Sequence, residues 1–452
     1  MKIFLLLLTF LFCSISIFSQ EITGQWNGIL TIQGQELPLI FKIEKNGNDY
    51  KSTLDIPAQG AKGIAVTSTT FVSSKLTLKI ATIGAEFVGD LNAEEKIVGN
   101  LNQSGATFPL ILSKGAITSP KRPQEPKPPF SYYSEDVKFL NPKANIKLAG
   151  TLTLPKKEGK YPVIVMITGS GAENRDEEIF GHKPFLVIAD HLAKNGIGVL
   201  RFDDRGFAQS EGNFATATSE DFATDVESAV AYLKTRKDVN LKKIGLMGHS
   251  EGGIIAPMVA ARSNDVAFIV LLAGPGISGY ELLPLQGELI NRASGMSEAD
   301  ALAAKKMSQG AFDIVKNSTD SKTLEADLTA YFKKIGMPEK EAKNNARQTA
   351  APWTQFFIKY DPTTALKKVK VPVLAVNGEK DLQVPADIDL KVIKETLEKS
   401  GNKKVTTIKF PNLNHLFQEC QTGLVSEYGK IEQTFSPSAL KEITDWIIKQ
   451  TK

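Results

Sequence analysis

Two different periods of apolar residues divide the chain. From about residue 24 to residue 113, apolar and polar positions alternate: Leu37, Leu39, Phe41 and Ile43 are set against Pro38, Ile40, Lys42 and Glu44. Side chains two apart share one face of a strand, so this alternation predicts half-buried antiparallel strands. Lys45-Asn46-Gly47-Asn48 supplies a hairpin turn. Further strands are expected at 50–56, 75–80, 85–91, 97–103 and 106–113. No helical period interrupts them, and residues 20–115 read as a small antiparallel all-β domain, either barrel or sandwich.

Residues 116–130 then carry Pro120, Pro123, Pro126, Pro128 and Pro129 among charged residues. Such a run builds no core and reads as a semi-rigid linker. Beyond it, in residues 131–452, the pattern changes. A leading hairpin is expected at 137–140 and 146–154. Continuous apolar runs follow at 163–168, 198–202, 244–248, 266–273, 371–377 and 405–410. Segments with helical spacing alternate with them at 184–194, 219–234, 250–261, 387–399 and 436–449. Strands that are apolar throughout, alternating with helices, predict an α/β class: a mostly parallel sheet covered by helices on both faces. Residues of about 279–360 break the alternation with helical runs only. An insertion between the sixth and seventh strands of this domain is expected to cap the strands' C-terminal ends, where such sheets bind ligands.

Composition changes this picture in two places. The charge of +4, from 54 basic and 50 acidic residues, is small for 452 residues and points to no nucleic-acid partner. Met1-Lys2 followed by the apolar run from Ile3 to Phe18 reads as a cleaved secretion signal, residues 1–19, so the chain is expected to be exported, periplasmic or secreted, with no membrane span afterwards. Of the two cysteines, Cys13 would leave with the signal, and Phe12 is bulky for a lipid-attachment site. Cys420 then has no partner, and no disulfide framework is expected.

The chemistry gathers at Ile244-Gly245-Leu246-Met247-Gly248-His249-Ser250-Glu251-Gly252-Gly253, an apolar run ending in Gly-x-Ser-x-Gly with a helix-like segment behind it. Strand, tight turn and helix are the context of a strained nucleophilic serine, here Ser250. The amide of Glu251, at the helix start, is free to stabilise an oxyanion. A serine nucleophile needs a base, and of the four histidines only His415 follows Ser250, in the loop after the strand at 405–410. The orienting acid is expected in the turn Gly378-Glu379-Lys380-Asp381. Asp381 is the first choice there, Glu379 the second. The second oxyanion amide is assigned to Ser170, in Gly169-Ser170-Gly171, with Gly171 as the near alternative. His249 reads as packing beside the site, and His182 and His191 as structural. The charges of 173–178 and 201–205 read as local ion pairs that brace loops. No metal-ligand cluster is visible, and neither metal nor cofactor is expected.

Gly169-Ser170-Gly171, Arg175-Asp176-Glu177, Arg201-Phe202-Asp203-Asp204-Arg205-Gly206, Gly248-His249-Ser250-Glu251-Gly252, Asn377-Gly378-x-x-Asp381 and Asn414-His415 together resemble secreted bacterial α/β-hydrolase esterases, relatives of the serine aminopeptidase-like (S33-type) hydrolases. The likeness covers about residues 131–452. Gly24-x-Trp26-x-Gly28 and Gln59-Gly60-Ala61-x-Gly63-Ile64 resemble a module fused ahead of such enzymes. The resemblance implies an α/β-hydrolase fold with a helical cap, a Ser250–Asp381–His415 triad, and hydrolysis of a small carboxylic ester without cofactor. A peptidase or amidase with the same triad is the alternative. A catalytically idle binding protein is a third reading, which the intact set of three residues argues against.

Overall fold

The computed structural model describes residues 21–32, 35–47, 49–57, 61–103, 106–115 and 120–452. The expected signal, residues 1–19 with Cys13, lies outside the described residues, as does the front of the proline-rich stretch, 116–119. The chain forms two compact units, divided between Ser119 and Pro120.

Among the described residues the first unit is one antiparallel sheet of nine strands: β1 (Gly24–Ile32), β2 (Gln35–Asn46), β3 (Asp49–Ile56), β4 (Ala61–Val66), β5 (Ser68–Val72), β6 (Lys75–Ile80), β7 (Ala85–Leu91), β8 (Lys96–Gln103) and β9 (Ala106–Lys114). Their order is β4-β3-β2-β1-β9-β8-β7-β6-β5. The two edge strands, β4 and β5, are joined through Thr67 alone, so the sheet curls round until its ends meet. Ser52 and Thr69 share a buried hydroxyl–hydroxyl bond near that seam, at 2.8 Å. This single curled sheet is of the expected antiparallel all-β class, and β4 and β5 are not paired with each other among the described residues. Its interior follows the expected alternation, with Leu39, Phe41 and Ile43 of β2, Leu76, Leu78 and Ile80 of β6, and Trp26 and Phe87 all buried. β4 and β5 were not anticipated. Each buries a single residue, Val66 and Thr69, so neither carries an alternating signal.

The second unit begins with the rear of the proline-rich stretch, which is not a free spacer. The Arg122 guanidinium donates to the carbonyl oxygens of Phe180, Gly181, Gly429 and Ile431, at 2.8–3.2 Å. A planar fork of five N–H donors suits such a cluster of loop carbonyls, and it pins this segment down. Eight strands follow: β10 (Tyr133–Asn141), β11 (Ile146–Leu154), β12 (Tyr161–Ile167), β13 (Gly198–Phe202), β14 (Val239–His249), β15 (Phe268–Leu272), β16 (Val373–Gly378) and β17 (Val405–Phe410). They lie in the order β10-β11-β13-β12-β14-β15-β16-β17. β11 runs antiparallel to both its neighbours, and the remaining pairs are parallel.

Helices α1 (Pro184–Lys194), α2 (Ser219–Lys234) and α3 (Gly252–Ala260) connect the early strands. Within each central strand the two faces feed two separate cores. Val163, Val165 and Ile167 of β12 face α2 and α3, whereas Ile164 and Met166 face α1 and the C-terminal helix. That division explains the unbroken apolar runs: a strand buried on both faces has no polar position to spare. Five helices fill the insertion, α4 (Gly279–Ala293), α5 (Glu298–Asn317), α6 (Ser321–Lys334), α7 (Glu339–Thr349) and α8 (Pro352–Lys359), followed by the short α9 (Thr363–Leu366). They bury a small core of their own, including Val315, Leu324, Leu328 and Phe332, while Leu282 of α4 and Phe357 of α8 join the main one. α10 (Ala386–Lys399), α11 (Val425–Tyr428) and α12 (Pro437–Thr451) complete the unit. Among the described residues no helix is long and apolar enough to cross a membrane.

Candidate active site

The chain leaves β12 to one side, through α1 to β13, and returns past it to β14 on the other. At that reversal the C-terminal ends of β12 and β14 lie side by side, the place where ligands bind in such sheets. Ser170 follows β12, and Ser250 follows β14.

Ser250 has φ +50°, the left-handed region that a β-carbon disfavours. Its conformation is held from both sides: its amide donates to the Leu272 carbonyl at 2.9 Å, and its carbonyl accepts from the Gly253 amide at 2.9 Å. So sharp a turn folds the new helix back against the strand. A β-carbon on Gly248 would collide with the Gly252 carbonyl, and one on Gly252 with that of Ile167. The helix starts at Gly252, two residues later than the sequence pattern suggests, because the turn consumes Ser250 and Glu251.

Asp381 and His415 meet across two loops, Oδ2 lying 2.7 Å from Nδ1, with both residues buried. The other Asp381 oxygen accepts the amides of Gln383 and Val384 at 2.8 and 2.9 Å, which fixes the carboxylate as an acceptor. Glu379 is turned away and accepts from the Asn412 amide at 3.1 Å. Asn414 shapes the histidine loop, its side-chain oxygen taking the amides of Leu416 and Gln418. The His415 carbonyl lies 3.0 Å from Nε2 of His249, and the two rings are 4.8 Å apart, so this loop rests on the residue just ahead of Ser250. The Ser250 hydroxyl itself makes no hydrogen bond among the described residues.

The loop after β12 passes close to the serine, a β-carbon built on Gly169 falling 3.3 Å from that of Ser250. Neither the Ser170 nor the Glu251 amide is taken up by another described group. Gly171, at φ +121°, sits where only glycine is comfortable.

Around this loop buried carboxyls converge. Burial pushes Asp204 up to about 8, although Thr168 and the Glu173 amide donate to it. Burial, then the carboxylates of Glu177 and Asp204, hold Glu173 well above the ordinary range. Burial likewise raises Glu251, whose Oε1 accepts from Ser219 at 2.5 Å and from the indole N–H of Trp353, on α8, at 2.8 Å. This tie between the Ser250 turn and an inserted helix had no sequence signal, since Glu251 and Trp353 lie 102 residues apart. The charges of 201–205 do pair, but inside the protein: Arg175 grips Asp203 with two nitrogens, at 3.0 and 2.7 Å, Arg205 grips Asp225, and Arg201 meets Asp176. His182, between Thr434 and Tyr428, is pushed down to about 4 by burial, and stays neutral. His191, on α1, makes none of these contacts, and Cys420 is a free thiol that burial pushes up. Among the described residues no group of three or more His, Cys, Asp or Glu is placed to hold a metal ion.

Comparison with known proteins places this geometry in a family. Residues 144–390 match the X-Pro dipeptidyl-peptidase (S15) family. The match stops short of His415, and it names S15 where the motifs suggested S33-type kinship. The chain is similar to esterase EstD of Thermotoga maritima, 27% identical over 305 residues, which are 67% of this chain and 66% of EstD. It is also 24% identical over 259 residues to an uncharacterised 31.7 kDa protein of Escherichia coli, spanning 56% of this chain and 83% of that one. Among solved structures, the Pyrococcus furiosus esterase Pf2001 aligns with a TM-score of 0.46 and 16% identity, over 75% of this chain and 100% of that one. Matched over more than half of its 452 residues, the chain belongs to the X-Pro dipeptidyl-peptidase (S15) family and is a serine hydrolase.

Proposed function

We propose that the protein is a serine carboxylesterase working through an acyl-enzyme. The observation that carries this reading is the Asp381–His415 contact of 2.7 Å, in the loop resting against the turn that presents Ser250. In this reaction the Ser250 oxygen attacks the ester carbonyl while Nε2 of His415 takes its proton. The amides of Ser170 and Glu251 hold the oxyanion, and His415 returns the proton to the departing alcohol. Asp381 keeps the Nδ1 proton in place and offsets the charge on the ring. Water then releases the acid by the same steps reversed. Esterase EstD, with 27% identity, supports the ester as substrate.

The second reading is a peptidase, favoured by the family match itself. Both reactions pass through an acyl-serine, and the leaving group separates them. p-Nitrophenyl acyl esters of increasing chain length are to be compared with aminoacyl-prolyl anilides on the purified protein. Turnover of esters with negligible anilide cleavage is expected; cleavage of anilides alone ends the esterase reading. Helices α4–α8 act as the cap that sets acyl and alcohol preference. We further propose export through residues 1–19, for which N-terminal sequencing of the mature protein is the check; a mature chain still starting at Met1 contradicts it.

A further inference from the structure

His249, the residue ahead of the serine, is bonded through both ring nitrogens. Nδ1 lies 2.8 Å from Oε1 of Glu177, and Nε2 lies 3.0 Å from the carbonyl oxygen of His415. A carbonyl oxygen only accepts, so Nε2 carries a proton. Oε1 of Glu177 also accepts the Gly169 amide, at 3.1 Å. A doubly protonated ring facing a Glu177 carboxylate satisfies all of these contacts at once. Burial opposes that charge, but Glu177 outweighs the penalty and holds the ring above the ordinary histidine value. The other groups facing the pair are Asp381, from the loop after β16, which favours the cation; Glu173, from the loop after β12, which faces Glu177; and the His415 ring, from the loop after β17.

We propose that Glu177 and His249 are positioning residues, a buried carboxylate–imidazolium bridge that fixes the oxyanion loop and the His415 loop in register with Ser250. One end holds Gly169, next to the Ser170 amide; the other holds the backbone of His415; the bridge itself is built on the residue preceding Ser250. The inference rests on the Ser250–His415–Asp381 reading. Loss of one proton breaks it, because a neutral imidazole donates from one nitrogen only. The bridge is therefore intact below the raised value for His249 and fails as pH rises through it.

The test is the alkaline limb of kcat/KM for p-nitrophenyl acetate. Glu177→Gln keeps the volume and an oxygen for the Gly169 amide but removes the charge that sustains the imidazolium. Its alkaline limb is expected to move to lower pH, with a fall in kcat larger than the change in KM. His249→Gln still donates to the His415 carbonyl and does not titrate, so its profile loses that limb. Folded variants with the wild-type pH profile and only a lowered Tm would overturn the proposal. If neither variant folds, or if the wild type proves inactive, nitrogen-15 NMR of histidine-labelled His415→Ala protein decides independently of catalysis. That protein keeps the residue-415 carbonyl and only three imidazoles. One imidazolium persisting above the ordinary histidine range supports the bridge; three neutral rings there overturn it.

Discussion

At Ser250 a non-glycine residue is held at φ +50°, a conformation that costs about 1–3 kcal/mol and persists where the surroundings over-determine it. The close packing of Gly248 and Gly252 is what does so. Gly252→Ala drives a methyl group into the Ile167 carbonyl, and the expected loss is about 1–3 kcal/mol or more in a urea melt, with activity lost in parallel. Asp381→Asn keeps an oxygen for the Gln383 and Val384 amides, so the fold is expected to survive. The His415 tautomer is not, and kcat for a p-nitrophenyl ester should drop by about 10⁴. Asp204, raised to about 8, binds a proton in the folded protein that the unfolded chain has already released. Its contribution is therefore present below the ordinary carboxylate range and fades as pH rises toward about 8. Denaturation midpoints across that window should fall in the wild type and change less in Asp204→Asn; equal slopes would contradict this. The placement of Ser250, Asp381 and His415 just past strand ends was legible because each of those strands reads as an apolar run. The bonding of Glu177 to His249 and of Trp353 to Glu251 was not, because nothing local in the sequence encodes a contact across 72 or 102 residues.

Among the elements, the best-read helices were those with one clear apolar stripe. α1 spans Pro184–Lys194 and α2 Ser219–Lys234, the latter opened by a Thr218–Asp221 capping box. The edge strands β4 and β5 carry no alternating signal because they bury almost nothing. The insertion read as helical, but its attachment did not. Trp353 on α8 donates to the carboxylate of Glu251, the residue following Ser250. Trp353→Phe removes one of the two donors to Oε1 of Glu251. Ser219 still donates to that oxygen, so the loss is that of one hydrogen bond, about 0.5–1.5 kcal/mol. Because the lost bond joins an inserted helix to the serine turn, KM for acyl esters should rise along with the fall in Tm. A lower Tm with unchanged KM would confine α8 to a structural role.

Across the molecule, every residue of the proposed site belongs to the unit from Pro120 to Lys452, which has its own pair of cores on the two faces of its sheet. A chain of residues 120–452 is accordingly expected to fold and to retain kcat for p-nitrophenyl esters; loss of kcat in a folded fragment would assign the N-terminal β unit a part in catalysis. Whatever the substrate, the account depends on one reactive hydroxyl among all the serines of the chain. Labelling the intact protein with a fluorophosphonate and identifying the modified peptide by mass spectrometry tests this most directly. The expected result is a single adduct on Ser250, formed in the wild type and absent from the His415→Ala protein. An adduct on another serine, or none on a folded and active wild type, would contradict it.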